Sequence, residues 1–455
     1  MDNLKVVILA AGQGTRMKSE VPKVLHRVLD KTMAGYVIEA SQEAGADDIC
    51  VIVGHQSAMV KNTLKDMYDN IKFAVQKEQL GTGHAVMQAG DFIKDGNILV
   101  LCGDTPLITA ETIQKLCSVH ESSDNSVTVV SMVVDDPTGY GRIVRENDNF
   151  AKIVEQKDAS EDEAEINEVN TGVYIFKAEY LNKAFEKLGN NNSQGEYYLT
   201  DTLEIIKNDG GKVGIMVADD ADEFMGVNSK LQLSQAIAVM KERINTKLML
   251  EGVTITDPAS TYIGKDVKIA PDTIIYPGCM LEGKTVIGKS CIIGPNTRIT
   301  SSQVDDCVTI QMSVLNDAKV KSFTTVGPFA YLRPNSCIGE HCRIGDFVEI
   351  KNSNIDDGTK VSHLTYVGDS DVGKCVNFGC GTVTVNYDGK NKYRCKIGNE
   401  VFIGCNTNLV APVEIADRAY TAAGSTITKN VPEDSLAIAR NRQENKEGWR
   451  KKVNK

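Results

Sequence analysis

Residues 263–299 read IGKDVKIAPDTIIYPGCMLEGKTVIGKSCIIGPNTRI, with an aliphatic residue at every sixth position. These positions are Ile263, Ile269, Ile275, Leu281, Ile287, Ile293 and Ile299. A period of six suits neither an α-helix nor an ordinary strand. It suits a short strand followed by a corner, so that three such units close one triangular coil and stacked coils bury aliphatic ladders. The stretch therefore predicts a parallel β-helix.

The same period continues along the rest of the C-terminal half. A second run holds Val314, Val320, Val326, Leu332, Ile338, Ile344 and Ile350, and a third holds Ile397, Ile403, Leu409, Ile415 and Ile427, with Thr421 filling its gap. A small residue stands two positions before these residues, as at Val267, Thr273, Cys279, Thr285, Cys291 and Thr297. We expect cysteines at this small inward position to be structural rather than reactive, namely Cys279, Cys291, Cys342 and Cys395.

The period slips in two places. One slip lies between Ile299 and Val314, and the other extends from about Val367 to Ile397. The second contains NFGCGTVTVNYDGKNKYRCK, which predicts a loop that projects from the coil. Loops on a rigid scaffold are where function concentrates.

The N-terminal half has a different pattern, in which buried apolar runs alternate with helical periodicity. The apolar runs lie at 5–10, 47–55, 97–104, 126–134 and 172–177, and helical patterns extend from Lys23 to Ala44 and from Thr109 to His120. This alternation predicts a mostly parallel, doubly wound sheet. In such a sheet ligands bind at the carboxyl ends of the strands.

Bulk properties exclude several classes of protein. A chain of 455 residues is too long for one ordinary core, so two or three domains are expected. Its net charge of −11 argues against nucleic acid or an anionic membrane as a default partner. The sequence contains no apolar stretch long enough for a transmembrane helix, and its first residues predict a strand rather than a signal peptide. The 12 cysteines include no CxxC pair, which favours a reduced cytoplasm.

A glycine-rich loop follows the first apolar run. Its sequence is LAAGQGTRM, residues 9–17, with Pro22-Lys23 downstream. Glycines let the backbone approach a phosphate, and the cations Arg16 and Lys23 suit a triphosphate. A plain tight turn and solvated surface charges are the alternatives. Asp104 ends another apolar run, where a metal-binding carboxylate would face the crevice, although it could instead cap a helix.

These residues resemble the sugar-nucleotide pyrophosphorylases. The likeness continues at EQLGTGHA (78–85), CGDTPL (102–107), GYGRIV (139–144), IVEQKDA (153–159), NTGVY (170–174), QGEYYLTD (194–201) and GVNSKLQL (226–233). It implies a Rossmann-like nucleotidyltransferase domain with Asp104 and Asn228 as Mg²⁺ ligands and Arg16 and Lys23 stabilising the departing pyrophosphate. It also implies further substrate contacts: the loop Leu9, Ala10, Ala11 and Gly12 for the nucleotide, Gln76, Gly81 and Thr82 for the uracil of UTP, and Gly141, Glu155 and Asn170 for the sugar and ribose.

A second candidate site lies within the repeats. His363 is one of six histidines, and an imidazole is the best-matched general base near neutral pH. Arg333 and Lys351 lie 30 and 12 residues upstream, which are whole multiples of six, so all three can lie on neighbouring coils. Two cations beside a base suit a sugar phosphate that carries an amine, which would attack an acyl thioester. A structural histidine is the alternative.

The repeats also resemble a second family. HLTYVGD (363–369), the NYDG loop, Lys392, AAGSTI (422–427) and ARNRQENKEGW (439–449) are similar to the bifunctional uridyltransferases and acetyltransferases of glucosamine 1-phosphate. The resemblance implies a left-handed β-helix with His363 as the base. It also implies two sets of binding residues: Arg333, Lys351, Tyr366 and Asn377 for glucosamine 1-phosphate, and Cys380, Asn386, Tyr387, Cys405, Ala423 and Arg440 for acetyl-CoA. The family often has Ala and Ser where this chain has Cys380 and Cys405.

We therefore expect an α/β uridyltransferase domain at 1–229, a linker helix at 230–250, a left-handed parallel β-helix at 251–437 and a basic tail at 438–455. The resemblance implies a cytoplasmic homotrimer that uses sugar phosphates, UTP and acetyl-CoA, with no nucleic acid or membrane partner. One rival is a single-activity pyrophosphorylase with a regulatory β-helix, and another is a non-catalytic scaffold. The cluster around His363 disfavours the first, and Asp104 with Arg16 and Lys23 disfavours the second.

Overall fold

The computed structural model describes residues 3–453 and divides the chain into two compact units between Met240 and Lys241. The N-terminal unit is built on one main sheet. Its strands are β1 (Leu4–Ala10), β4 (Asp48–Val53), β5 (Ile71–Val75), β6 (Asn97–Cys102), β7 (Val127–Val133), β8 (Arg142–Glu146), β9 (Asn149–Val154), β10 (Glu168–Lys177) and β11 (Val213–Val217), whereas β2 (Arg27–Val28) and β3 (Lys31–Thr32) form a separate hairpin.

The order of the main sheet is β11-β7-β10-β6-β1-β4-β5, with β8 and β9 attached beside β10. Strand β10 is antiparallel to β6 and β7, and the other pairs along this order are parallel. The helices are α1 (Met33–Glu43), α2 (Ser57–Lys65), α3 (Thr82–Met87), α4 (Ala110–Ser122), α5 (Glu161–Ala164), α6 (Ala178–Lys187), α7 (Asp201–Asn208) and α8 (Lys230–Leu250). The predicted mostly parallel sheet is confirmed.

The predicted helix from Lys23 to Ala44 is wrong in its first half. Residues Lys23–Leu25 form a single 3₁₀ turn, and the β2–β3 hairpin follows before α1 begins. The Thr32 hydroxyl accepts a hydrogen bond from the amide of Gly35 at 3.1 Å and so caps α1. The cap satisfies an amide that has no partner within the helix, which fixes the start of α1 at Met33.

The carboxyl ends of β1 and β6 meet at one edge of the sheet. Leu9 is the register partner of Cys102. The glycine-rich loop and Asp104, which follow these two residues, therefore emerge side by side. This edge is the one at which ligands bind in a doubly wound sheet.

The C-terminal unit is a parallel β-helix with three flat faces, and each strand pairs with the strand one coil further on. The strands of face 1 are Thr254–Ile255, Ile274–Ile275, Ile292–Ile293, Thr309–Ile310, Thr325–Val326, Arg343–Asp346, Lys360–His363, Asn377–Phe378, Phe402–Ile403, Tyr420–Thr421 and Leu436–Ala437. The strands of face 2 are Tyr262–Ile263, Met280–Glu282, Arg298–Thr300, Val314–Asn316, Tyr331–Leu332, Glu349–Lys351, Tyr366–Gly368, Val383–Val385, Asn408–Val410 and Thr426–Ile427. The strands of face 3 are Lys268–Ile269, Val286–Ile287, Gln303–Val304, Ala318–Val320, Ser336–Ile338, Asn354–Ile355, Ser370–Val372, Cys395–Ile397 and Val413–Ile415.

The aliphatic residues of the six-residue period form the core of this unit, with one exception. Val314 points outward and is 41% exposed, whereas its neighbour Leu315 is fully buried. Some sides of the triangular coil are one residue shorter than six. The buried, inward-facing residues in this stretch are therefore Val304, Ile310 and Leu315. The four cysteines predicted to be structural are buried.

The segment expected to form a linker forms the helix α8, and the boundary between the two units falls within it. The tail contains one further short helix, α9 (Trp449–Val453), which is exposed. Within residues 3–453 no helix has the length and apolar character needed to span a membrane.

Candidate active sites

A cavity of about 290 Å³ opens at the carboxyl edge of the main sheet. Among its lining residues are nine that the sequence predicted: Leu9, Ala10, Ala11, Gly12, Lys23, Gln76, Gly81, Thr82 and Asp104. Gln79, Cys102 and Glu196 also line it, and the sequence did not single them out. The glycine loop is therefore one wall of a pocket rather than a plain turn.

Lys23 and Asp104 line this cavity and Asn228 contacts Lys23, although the three residues come from distant parts of the chain. The Lys23 ammonium forms an ion pair with the Asp104 carboxylate and donates to Asn228 Oδ1 at 3.0 Å. The side chains of Lys23 and Asp104 are only 15% and 17% exposed. The Asp104 and Asn228 oxygens thus converge on one positive charge in a poorly solvated position, where electrostatic interactions are strong.

Gly14 sets the position of the Lys23 side chain. Its φ of 62° lies in the left-handed region, and a Cβ added there would stand 2.7 Å from the Cβ of Lys23. The loop can therefore pack directly on the lysine stem only because residue 14 has no side chain.

Gln76 also lines the cavity and is buried in a polar network. Its amide nitrogen donates to the Gly81 carbonyl at 3.0 Å and lies 3.2 Å from His84 Nδ1. The Thr82 hydroxyl accepts from the Leu199 amide at 3.0 Å. These bonds fix a short row of polar groups that can read the edge of a planar ring.

Gly141, Glu155 and Asn170 form a separate cluster. The backbone amide of Asn170 donates to the Gly141 carbonyl at 2.8 Å. A Cβ added at Gly141 would stand 3.5 Å from the Glu155 carboxylate. Burial raises the pKa of Glu155, and burial together with the nearby Glu155 charge raises the pKa of Asp201 to about 6. The cluster is thus rich in oxygen acceptors that suit sugar hydroxyls.

Arg16 is the one predicted residue of the loop that stands apart. It lies in the 3₁₀ turn Thr15–Met17, is exposed, and is not among the residues that line the cavity. A long flexible side chain on such a loop can reach a bound anion without being held in advance.

The second candidate site follows one corner of the β-helix, between face 1 and face 2. Asp346 and His363 are register partners on successive coils. Val361 pairs with Phe378, which pairs with Ile403, which pairs with Thr421. If this register is extended by two residues on each strand, five residues lie in one row, one on each successive coil: Asp346, His363, Cys380, Cys405 and Ala423. We call this row the corner ladder.

His363 is held by the first member of the corner ladder. Its Nδ1 lies 2.7 Å from Asp346 Oδ1, and the imidazole is 53% exposed. This hydrogen bond lowers the pKa of Asp346, so its carboxylate is ionised at neutral pH and can only accept. Nδ1 must then carry the proton, which leaves Nε2 free to accept one.

A cationic cluster lies on the adjoining face 2. Arg333 and Lys351 are neighbours on successive coils, since Leu332 pairs with Ile350, and Tyr366 is on the next coil. The pKa of Lys392 is lowered by the ammonium of Lys351 beside it, which places Lys392 in the same cluster. Glu349 pairs with Arg333 at 2.8 Å.

Asp369 connects this cluster to the projecting loop. This residue is 4% exposed, and its carboxylate accepts from Lys351 at 3.5 Å and from the side-chain amides of Asn352 and Asn386. Asn386 also lies 3.4 Å from the Tyr366 hydroxyl. Tyr387, next along the loop, is exposed, and its hydroxyl donates to the Gly389 carbonyl at 2.7 Å.

The remaining predicted residues fall at two places. Arg440 packs at the end of the corner ladder, because a Cβ on Gly424 would stand 3.8 Å from Arg440 Cδ. Asn377 is on face 1, paired with Lys360 and Phe402, whereas the cationic cluster is on face 2.

Comparison with known proteins gives two family matches. The nucleotidyl transferase model matches residues 5–223. The bacterial transferase hexapeptide model, which spans six repeats, matches residues 266–301 and 394–429. Together they confirm the predicted nucleotidyltransferase domain followed by a left-handed β-helix of hexapeptide repeats.

The chain is also similar over its length to proteins named bifunctional protein GlmU. The protein of Caldanaerobacter subterraneus subsp. tengcongensis is 55% identical over 451 residues, covering 99% of this chain and 98% of the relative. That of Clostridium beijerinckii is 54% identical over 445 residues, 97% of each chain. That of Clostridioides difficile is 53% identical over 454 residues, with 99% and 98% covered.

Proposed function

This chain belongs to the family of the bifunctional GlmU proteins, and we propose that its two candidate sites catalyse two successive steps. The enzyme acetylates glucosamine 1-phosphate with acetyl-CoA, then transfers UMP from UTP to N-acetylglucosamine 1-phosphate and releases pyrophosphate. The observation that carries the assignment is that each unit has cationic side chains at its candidate site, Lys23 in one and Lys351 with Lys392 in the other. Each group can neutralise a sugar phosphate.

In uridylyl transfer, the phosphate oxygen of the sugar displaces pyrophosphate from the α-phosphorus of UTP. No protein nucleophile is needed, so alignment and charge neutralisation supply the catalysis. Lys23, fixed beside the glycine loop, neutralises the phosphates, and Arg16 closes over the leaving pyrophosphate. The loop Leu9, Ala10, Ala11 and Gly12 holds the nucleotide, Gln76, Gly81 and Thr82 read the uracil, and Gly141, Glu155 and Asn170 hold the sugar and ribose.

Asp104 and Asn228 fit a Mg²⁺ site. Their oxygens already converge on a cation, the Lys23 ammonium, and carboxylate and amide oxygens suit Mg²⁺. Within residues 3–453 no group of three His, Cys, Asp or Glu side chains is placed to hold a metal, so phosphate oxygens and water would complete the set. When bound, the ion supplies neutralisation of phosphate charge.

Chelation should separate the two reactions. We expect excess EDTA to abolish uridylyl transfer and added Mg²⁺ to restore it, because the triphosphate charge is otherwise unbalanced. Acetyl transfer should be unchanged by the same treatment, because its site uses His363 and side-chain cations. Pyrophosphate release and CoA release, followed in parallel, measure the two rates. Uridylyl transfer that proceeds in EDTA would refute the metal assignment.

Gly14 offers a test of Lys23 positioning. Gly14→Ala should lower uridylyl transfer about tenfold or more, since the new Cβ displaces the lysine stem and small misplacements are costly. Gly90→Ala is the matched control, because Gly90 has a similar φ of 54° and open space at its Cβ position. Steady-state pyrophosphate release measures both variants. Equal rates would show that the contact with Lys23 is unimportant.

In acetyl transfer, the amine of glucosamine 1-phosphate attacks the thioester carbonyl of acetyl-CoA. The amide C–N bond forms, the C–S bond breaks, and CoA leaves as a thiolate that takes up a proton. His363 Nε2 accepts the amine proton, and Asp346 orients the ring and stabilises its protonated form. Arg333, Lys351 and Tyr366 bind the sugar phosphate, with Lys392 beside them. Cys380, Cys405 and Ala423 on the corner ladder, together with Asn386, Tyr387 and Arg440, contact acetyl-CoA.

The functional form is a cytoplasmic homotrimer assembled through the β-helix, with no membrane or nucleic-acid partner. Asn377 on face 1 would complete the sugar-phosphate site on face 2 of a neighbouring copy. An exposed apolar ridge supports the assembly: Phe329 and Phe347 are stacked 5.3 Å apart, and Leu364 is 57% exposed. Ridges of this kind mark protein interfaces. The proposed domain limits are 1–229, 230–250, 251–437 and 438–455.

One pair of assays tests the proposal on the purified protein. It receives glucosamine 1-phosphate with acetyl-CoA, and separately N-acetylglucosamine 1-phosphate with UTP and Mg²⁺. CoA release in the first and pyrophosphate release in the second are the expected results. Pyrophosphate release alone would favour a single-activity pyrophosphorylase with a regulatory β-helix.

A further inference from the structure

Two cysteines of the corner ladder are direct neighbours. Phe378 pairs with Ile403, and Cys380 and Cys405 each follow these residues by two positions. The backbone amide of Asn406, the residue after Cys405, donates to the Cys380 carbonyl at 2.8 Å. Cys380 and Cys405 therefore stand in register on successive coils. Such neighbours are about 4.8 Å apart, which lies within the Cα separation that a disulfide spans, about 4.4–6.8 Å.

These two thiols are accessible, unlike the cysteines of the core. Cys405 is exposed and Cys380 is half-buried, and both are free. Cys342 and Cys395 point inward, and burial raises the pKa of each to about 11, so they stay protonated and shielded. His363 precedes Cys380 on the corner ladder and offers a base that can accept a thiol proton.

We propose that Cys380 and Cys405 form a reversible thiol–disulfide pair that switches off acetyl transfer. The thiolate of one cysteine attacks a low-molecular-weight disulfide, forms a mixed disulfide and expels one thiolate. The second cysteine, after losing its proton, attacks the protein sulfur of that mixed disulfide and expels the second thiolate. Two protein thiols are oxidised and one small disulfide is reduced to two thiols, so atoms and electrons balance.

The consequence for activity rests on the proposed function of the corner ladder. The linked sulfurs lie between His363 and Ala423, along the row that the thioester of acetyl-CoA would approach. Closing the pair draws both sulfurs into one bond along that row, so the thioester would meet a disulfide in place of two separate thiols. The N-terminal unit contains neither cysteine, so uridylyl transfer should be unaffected.

The test uses the full-length protein treated with oxidised glutathione and then with dithiothreitol. We expect acetyl transfer to fall about tenfold or more, to return on reduction, and uridylyl transfer to stay constant. In a Cys375→Ala background, tryptic mapping should join peptide 375–390 to peptide 397–418. Finding no joined peptide would overturn the proposal, and so would a joined peptide with undiminished acetyl transfer.

Two variants complete the design, each compared with its own untreated activity. The Cys380→Ala/Cys405→Ala double variant should keep its activity during oxidation, and a loss equal to that of the natural protein would overturn the proposal. Cys375→Ala is the matched control, since Cys375 is also exposed and free but stacks beside Gly358; it should respond as the natural protein does. Absence of acetyl transfer before treatment would contradict the proposed function instead, while the joined peptide would still report on the pair.

Discussion

Replacing His363 by alanine should lower acetyl transfer to glucosamine 1-phosphate by about 10²–10⁴-fold, the usual contribution of a positioned general base. The imidazole is the one group on the corner ladder that can take the amine proton near neutral pH, and Asp346 holds it with Nε2 free. Uridylyl transfer should be unchanged, because the residues that support it lie in the other unit. CoA release and pyrophosphate release measure the two effects.

His341→Ala is the matched control for this substitution. His341 is an exposed histidine of the same β-helix, stacked on Phe323 at 5.0 Å. It precedes the face 1 strand Arg343–Asp346, whereas the corner ladder lies at the other end of that strand. It should retain both activities. Equal loss of acetyl transfer in the two variants would mean that any histidine substitution disturbs the coil, and the base assignment would fail.

Replacing Asp104 by asparagine should produce the opposite pattern, with uridylyl transfer lowered about 10²–10³-fold. The substitution keeps the shape of the side chain but removes the charge that faces Lys23 and, in the proposed site, the metal. Acetyl transfer should be unchanged. Pyrophosphate release at saturating UTP and Mg²⁺ measures the loss in the chemical step rather than in binding.

Asp95→Asn serves as the control for Asp104→Asn. Asp95 also pairs with a lysine, Lys5, but its side chain is 72% exposed, and ion pairs of this kind contribute little. Both activities should be retained. If Asp104→Asn leaves uridylyl transfer intact, the metal and phosphate assignments at the carboxyl edge of the sheet are wrong.

The β-helix could be predicted from sequence because its physical requirement is repeated in every coil. A buried aliphatic residue on each side of the prism leaves a period that survives small irregularities. The inward position was predicted wrongly at Val314, because its neighbour Leu315 is also aliphatic and either residue satisfies the pattern. The prediction of a helix from Lys23 was wrong because the short hairpin of β2 and β3, which ends at Thr32, leaves no periodic signal.

The candidate sites depend on register, which sequence alone did not give. Asp346 is 17 residues before His363, not a multiple of six, because one side of the coil between them is a residue short. Spacing by six therefore missed it. Cys380 and Cys405 are 25 residues apart because the projecting loop is inserted between their coils. Asn228, which lies 205 residues from Lys23, could be linked to it only through the family resemblance.

The central claim is that two independent sites on one chain catalyse successive reactions, acetyl transfer and then uridylyl transfer. It is tested most directly by mixing the His363→Ala and Asp104→Asn proteins with glucosamine 1-phosphate, acetyl-CoA, UTP and Mg²⁺. Either variant alone should form UDP-N-acetylglucosamine about 100-fold more slowly than the mixture or slower still. The mixture restores the rate because the acetylated intermediate diffuses from one protein to the other. A variant that alone forms product as fast as the mixture, or a mixture no faster than its parts, would contradict the claim.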